Sequence, residues 1–98
     1  MKSKFLIVIP AYNEEKSISK VLKQLKETDY NFIVINDGST DKTLDNIFKE
    51  VNYCIGYSEN KGKGYAVKLG AKYAFANGYD WILIMDSDGQ MSIDDIDI

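Results

Sequence analysis

Trp81-Ile82-Leu83-Ile84-Met85-Asp86-Ser87-Asp88-Gly89 is an apolar run that ends on two carboxylates one residue apart. The apolar part has the pattern of a strand buried on both faces, so the two acids fall where that strand runs out into a loop. Carboxylates held in such a place can share a hard divalent cation, Mg²⁺ or Mn²⁺, whose remaining ligands are the oxygens of a substrate phosphate. Asp-Ser-Asp-Gly is also good turn chemistry, and Gly89 lets the chain turn sharply. The stretch alone leaves both readings open.

Working back toward the N-terminus, the same buried-strand pattern recurs in Phe5-Leu6-Ile7-Val8-Ile9, which stops at Pro10, and in Asn31-Phe32-Ile33-Val34-Ile35. A shorter strand is expected from Tyr53 to Ser58. Between the first two strands, Ile18, Val21, Leu22 and Leu25 recur at helical spacing, with Lys20, Lys23, Gln24 and Lys26 on the other face. Leu44, Ile47, Phe48 and Val51 make a second stripe, for which Ser39 or Thr40 is the expected N-cap and Asp41 an acid favourable to the first turn. A third helix is expected from Tyr65 to Asn77, with Val67, Gly70, Ala71 and Ala74 small enough to pack closely on a sheet and Asn77-Gly78 as its stop.

The order is therefore βαβαβαβ. Short connections between buried strands call for right-handed crossovers, a mostly parallel central sheet and helices on both faces, an α/β architecture. Ligands of such open sheets sit at the carboxyl ends of the strands, near the switch point. The polar loops at Pro10 to Glu15, Asn36 to Asp41, Ser58 to Gly64 and Asp86 to Gln90 all fall at those ends.

Composition narrows the chemistry. A chain of 98 residues, 45% of them apolar, makes one folded domain with a single core of moderate size. Twelve basic residues against fifteen acidic ones leave a charge of -3, so no general attraction to nucleic acid is expected and phosphate recognition must be local. All the basic residues are lysines, which act as point charges and cannot clamp a phosphate bidentately. The absence of histidine removes Ser-His-Asp and Cys-His nucleophiles and histidine zinc sites. Cys54, the single cysteine, reads as a buried small hydrophobe in the third strand. No apolar run reaches the ~18 residues of a membrane span, and Phe5 to Ile9 is too short for a signal-peptide core. The expected location is cytoplasmic.

Individual motifs exclude more than they assign. The loop after the first strand lacks G-x-G-x-x-G, so Asp37 is not the ribose-binding acid of a dinucleotide fold, and a nucleotidyltransferase is disfavoured for want of a glycine-rich loop there. Lys61-Gly62-Lys63-Gly64 lacks P-loop spacing; it is either a solvated turn or a phosphate contact.

Taken together, Ile9-Pro10-Ala11-Tyr12-Asn13-Glu14-Glu15, Ile35-Asn36-Asp37-Gly38-Ser39-Thr40-Asp41, Asn60-Lys61-Gly62-Lys63-Gly64 and Met85-Asp86-Ser87-Asp88-Gly89-Gln90 resemble the successive signatures of family 2 glycosyltransferases with the GT-A fold. The resemblance spans nearly the whole chain and makes residues 1–98 the N-terminal, nucleotide-sugar-binding part of such a domain. It implies that Pro10, Ala11, Tyr12 and Glu14 line the nucleotide pocket, with Tyr12 near the base. Asp37 is implied to accept a hydrogen bond from uracil or guanine, and Lys63 to lie by the phosphates. Asp86 and Asp88 match the DXD motif: Asp86 faces ribose and metal, Asp88 holds the Mg²⁺ or Mn²⁺ that bridges the diphosphate, and Ser87 joins the donor-binding set.

The implied activity is transfer of a sugar, with inversion, from a UDP- or GDP-sugar to a polyprenyl phosphate or saccharide, in the synthesis of cell-envelope polysaccharide or glycolipid. Asp-Ser-Asp-Gly-Gln is similar to the form in polyprenyl-phosphate glycosyltransferases such as the dolichyl-phosphate mannose synthase group. Their phosphate acceptor is already ionised, so less is asked of a general base. Asn36 departs from a commoner aspartate, and Ser92, an expected N-cap for Ile93-Asp94-Asp95-Ile96, from a commoner proline. Family catalytic domains run well beyond this length, so the resemblance implies a chain truncated after the DXD motif. Three further expectations follow: nucleotide binding without transfer as the alternative activity, self-association through uncovered apolar surface, and a parent protein at the cytoplasmic face of a membrane.

Overall fold

In the computed structural model, which describes residues 4–87, strand and helix alternate as the sequence pattern requires. The elements are β1 (Phe5–Ala11), α1 (Ile18–Lys26), β2 (Phe32–Asp37), α2 (Thr43–Glu50), β3 (Ile55–Tyr57), α3 (Lys63–Ala76) and β4 (Trp81–Ile84). They form one parallel sheet in the order β3-β2-β1-β4. The first three strands build outward from β1, and the α3 crossover then carries the chain back to the far side of β1. The switch point thus lies between β1 and β4, and Asp86 follows β4 at that place, two residues beyond its last residue, Ile84.

Alternation along β1 feeds two cores. Ile7, Ile9 and Ala11 pack with Ile18, Val21, Leu22 and Leu25 of α1 and Ile47 of α2, whereas Leu6 and Val8 pack with Ala66 and Ala74 of α3. β2 divides likewise, Val34 to the first core and Ile33 and Ile35 to the second. A strand covered on both sides must be apolar at every position, which is why β1 and β2 read as continuous runs. On the α3 side the helix comes close enough that a Cβ built on Gly70 would lie 2.4 Å from Val8 Cγ1. On the other side α1 and α2 are tied at Glu50, which accepts from Ser19 Oγ at 2.8 Å and Lys26 Nζ at 3.3 Å.

Local expectations shift in four places. β3 covers only Ile55–Tyr57, because Asn52 and Tyr53 are exposed and Cys54 is half-buried ahead of the strand. α2 starts at Thr43, with Lys42 rather than Ser39 or Thr40 at the N-cap position, and Asp41 just ahead of it accepts from Thr43 N at 2.9 Å through its Oδ1. Within α2 the buried positions are Thr43 and Ile47, leaving Leu44 and Phe48 exposed. α3 begins two residues before the expected Tyr65, and Ala66 rather than Val67 faces the sheet with Gly70 and Ala74. No described helix is long and apolar enough to cross a membrane. Asp88 and the expected cap at Ser92 lie outside the described residues.

Candidate functional site

Three of the loops at the carboxyl ends of the strands are fastened to one another by side-chain and backbone hydrogen bonds. Asn13 has a left-handed backbone, φ 52°, a conformation asparagine tolerates better than most residues. Its N–H donates to Ser39 Oγ at 3.0 Å and its Oδ1 accepts from Thr40 N at 2.8 Å. Glu14 N donates to Thr43 Oγ1 at 2.8 Å, and Asn46 Nδ2 to Glu15 O at 2.9 Å. The β1–α1 loop is thereby zipped to the β2–α2 loop. Ser39 and Thr40, expected as caps, are instead partners of Asn13.

The β3–α3 loop is fastened by Asp37. Asp37 is 3% exposed, and its carboxylate accepts from Lys61 N at 2.8 Å, Asn60 Nδ2 at 2.9 Å and Gly62 N at 3.0 Å. Gly38, at φ 68°, completes the junction, since a Cβ there would lie 2.3 Å from Asn60 N. A carboxylate offers roughly four acceptor positions; three are taken by the β3–α3 loop, and the Tyr57 hydroxyl lies beside the same carboxylate. Burial, with the Asp37 carboxylate beside it, pushes the Tyr57 hydroxyl well above its ordinary pKa and keeps it a neutral phenol.

Ser17 connects the β1–α1 side to the end of β4. Its Oγ lies 2.9 Å from Glu14 Oε2 and 2.8 Å from Ser87 O, and its single proton serves one acceptor at a time. Met85 N donates to Val8 O at 3.0 Å, prolonging the β1–β4 ladder, so Asp86 emerges beside the end of β1. Lys63, the first residue of α3, reaches across and places its Nζ 3.0 Å from Asp86 Oδ1.

These loops enclose an open cleft of about 380 Å³ lined by Pro10, Ala11, Tyr12, Glu14, Asp37, Asn60, Gly62, Lys63, Asp86 and Ser87. Every site residue expected from the sequence within the described range lines it. Ala11 is buried as its floor and Tyr12 stands half-exposed. Asn60 and Gly62 were not expected. Their signal was the Asn-Lys-Gly-Lys-Gly composition, but their contact with Asp37 is a tertiary pairing that no local pattern encodes.

The cleft fits a hard divalent cation in one respect that can be read directly: Asp86, an oxygen donor, already holds a cationic group, the Lys63 ammonium. The described residues contain no group of three His, Cys, Asp or Glu that could hold a metal ion. Asp86 would therefore need other oxygens, from the donor phosphates, water and Asp88, to complete a shell.

The profile of the family described as glycosyl transferase family 2 matches residues 6–97. Among curated proteins, UDP-N-acetylglucosamine--dolichyl-phosphate N-acetylglucosaminyltransferase of Methanococcus voltae is 37% identical, over 92% of this chain and 43% of its own length. Among solved structures, S. aureus TarS (residues 1-349) superposes with a TM-score of 0.73 at 30% identity, over 87% of this chain and 27% of that one. Glucosyl-3-phosphoglycerate synthase from Mycobacterium tuberculosis, solved with Mn²⁺, UDP and glucosyl-3-phosphoglycerate, gives 0.69 at 25% identity, over 87% and 33%. The fold these neighbours share with the chain is GT-A. The chain spans 40 to 43% of the length of the first curated relatives it matches.

Proposed function

Because the chain belongs to glycosyl transferase family 2, we propose that its cleft holds the nucleoside diphosphate of a UDP- or GDP-sugar, with Mg²⁺ or Mn²⁺, during transfer to a polyprenyl phosphate or a saccharide. The observation that carries this reading is the convergence of all four loops at the carboxyl ends of the strands on one cleft beside the switch point.

In this reading Pro10, Ala11 and Tyr12 form the wall against which the base packs. Asp37 fixes that wall by holding Asn60, Lys61 and Gly62, and would accept a hydrogen bond from the base. Asp86 and Asp88 would hold the cation, and Lys63 would neutralise phosphate charge. When bound, the cation supplies stabilisation of the negative charge that develops on the departing diphosphate. Inversion at the anomeric carbon belongs to the same proposal. A lipid-phosphate acceptor, suggested by the dolichyl-phosphate relative, brings its own ionised nucleophile, so no base within the described residues is required. It would also place the parent protein at the cytoplasmic face of a membrane, in glycolipid or cell-envelope synthesis.

A second reading has a specific observation behind it. A chain that spans 40 to 43% of its first curated relatives can carry the donor site and lack the acceptor site, binding nucleotide without transfer. The two readings separate when UDP-sugars and GDP-sugars are supplied with Mn²⁺ and a polyprenyl phosphate, and both nucleotide binding and glycolipid product are measured. Product supports the first reading and binding without product the second; absence of both overturns the donor site itself.

A further inference from the structure

The Lys63–Asp86 contact puts a positive charge where the donor reading puts a metal. Lys63 is anchored at its base, because the preceding Gly62 N–H is bound to Asp37 Oδ2 at 3.0 Å, and it spans the cleft to Asp86 Oδ1 at 3.0 Å. Both side chains remain accessible, 62% and 46% exposed, so geometry rather than burial holds the pair. Among the described residues, no other ion pair is made by either partner.

We propose that Lys63 is an exchangeable counter-ion: its ammonium occupies Asp86 while no divalent ion is bound, and moves to the donor diphosphate when a divalent ion takes the carboxylate. This rests on the donor-site reading above. An oxygen bound to Mg²⁺ sits at about 2.1 Å from the ion. An ammonium 3.0 Å from the same oxygen would face that ion at close range and be repelled. The lysine stem is long and flexible enough to swing away, and the diphosphate is the anion that would receive it. Metal and nucleotide then help each other bind, by equal factors in both directions. Lys63 is one carrier of that coupling.

The test uses Mn²⁺ alone, with free Mn²⁺ followed by electron paramagnetic resonance, and then UDP in the presence of Mn²⁺. Lys63→Met should bind Mn²⁺ about 1.5- to 5-fold more tightly than wild type, the range expected for release of an exposed pair. The same variant should bind UDP more weakly when Mn²⁺ is present. Lys63→Arg, which restores the charge, should return Mn²⁺ affinity toward the wild-type value. Opposite changes in the two affinities are what a merely structural lysine would not produce. Unchanged or weaker Mn²⁺ binding by Lys63→Met, or none by either protein, would overturn the proposal. Tighter Mn²⁺ binding by the variant with no UDP binding by wild type would support the exchange at Asp86 and overturn the donor reading.

Discussion

Replacing Gly70 with alanine sets two opposed effects against each other inside α3. Alanine is the better helix former by about 1 kcal/mol, so the substitution is favourable wherever there is room. At Gly70 there is none: the added Cβ would lie 2.4 Å from Val8 Cγ1, 3.0 Å from Cγ2 and 3.3 Å from Cβ. Rotating Val8 about χ1 moves the methyls but not its Cβ, and Val8 is fully buried in the sheet. Relief must come from the helix moving off the sheet. Overpacking of this kind costs about 1–3 kcal/mol, and contacts this short put it at the upper end, for a net loss of ~2 kcal/mol. In a domain of this size that lowers Tm by roughly 8–16 °C. Gly64→Ala is the internal control, since its Cβ would meet nothing within 4 Å. There the propensity gain stands alone and Tm should rise. Thermal unfolding followed by circular dichroism reads both. A Gly70→Ala protein as stable as Gly64→Ala would refute the claimed contact between α3 and β1.

Gly38→Ala should be worse, because φ 68° disfavours any Cβ and the contacts at 2.3–2.8 Å are with the backbone of Glu59 and Asn60. Nucleotide affinity should fall by at least about tenfold as the Asp37 junction opens, and calorimetric titration with UDP would detect it. Acid should destabilise the fold through Glu50 and Asp41, whose folded-state pKa values are both lowered. Glu50 is lowered by the Ser19 hydroxyl, then by Lys26 and Lys23; at Asp41 burial acts in the opposite direction but is outweighed by the Thr43 hydrogen bonds. Depressed carboxylates contribute stability above their unfolded-state pKa, near 4, and lose it as pH falls through the folded value. Denaturant midpoints measured from pH 7 to pH 3 should therefore decline, and less so in Glu50→Gln. Trp81, 62% exposed on β4, one of the two outer strands among the described residues, should promote self-association. Sedimentation should show mass rising with concentration, reduced in Trp81→Ser; a strictly monomeric wild type would count against it.

What the sequence made legible was whatever depends on periodicity. β1 and β2 could be read because burial on both faces forces Phe5 to Ile9 and Phe32 to Ile35 to be apolar throughout, and α1 because its buried positions fall on one stripe. β3 was overextended because Tyr53 resembles a strand residue, yet its ring is exposed and stacks on Tyr73, 6.0 Å between centroids. The N-cap of α2 was misplaced for a related reason. Ser39 and Thr40 are good caps locally, but Asn13, far away in sequence, takes both. The site was legible as a set of motifs, since each loop carries its own composition. What the motifs could not convey is that Asp37 chiefly holds the β3–α3 loop in place, or that Lys63 rests on Asp86. Both are contacts between residues more than twenty positions apart.

The most direct test is a backbone amide NMR titration of the protein with UDP and Mg²⁺, added singly and together. Shifts are expected to concentrate at the amides of residues 11–14, 37, 60–63 and 86–87, with Mg²⁺ strengthening the UDP response. Shifts elsewhere, or none with both ligands present, would contradict the claim that this cleft is a nucleotide-sugar site.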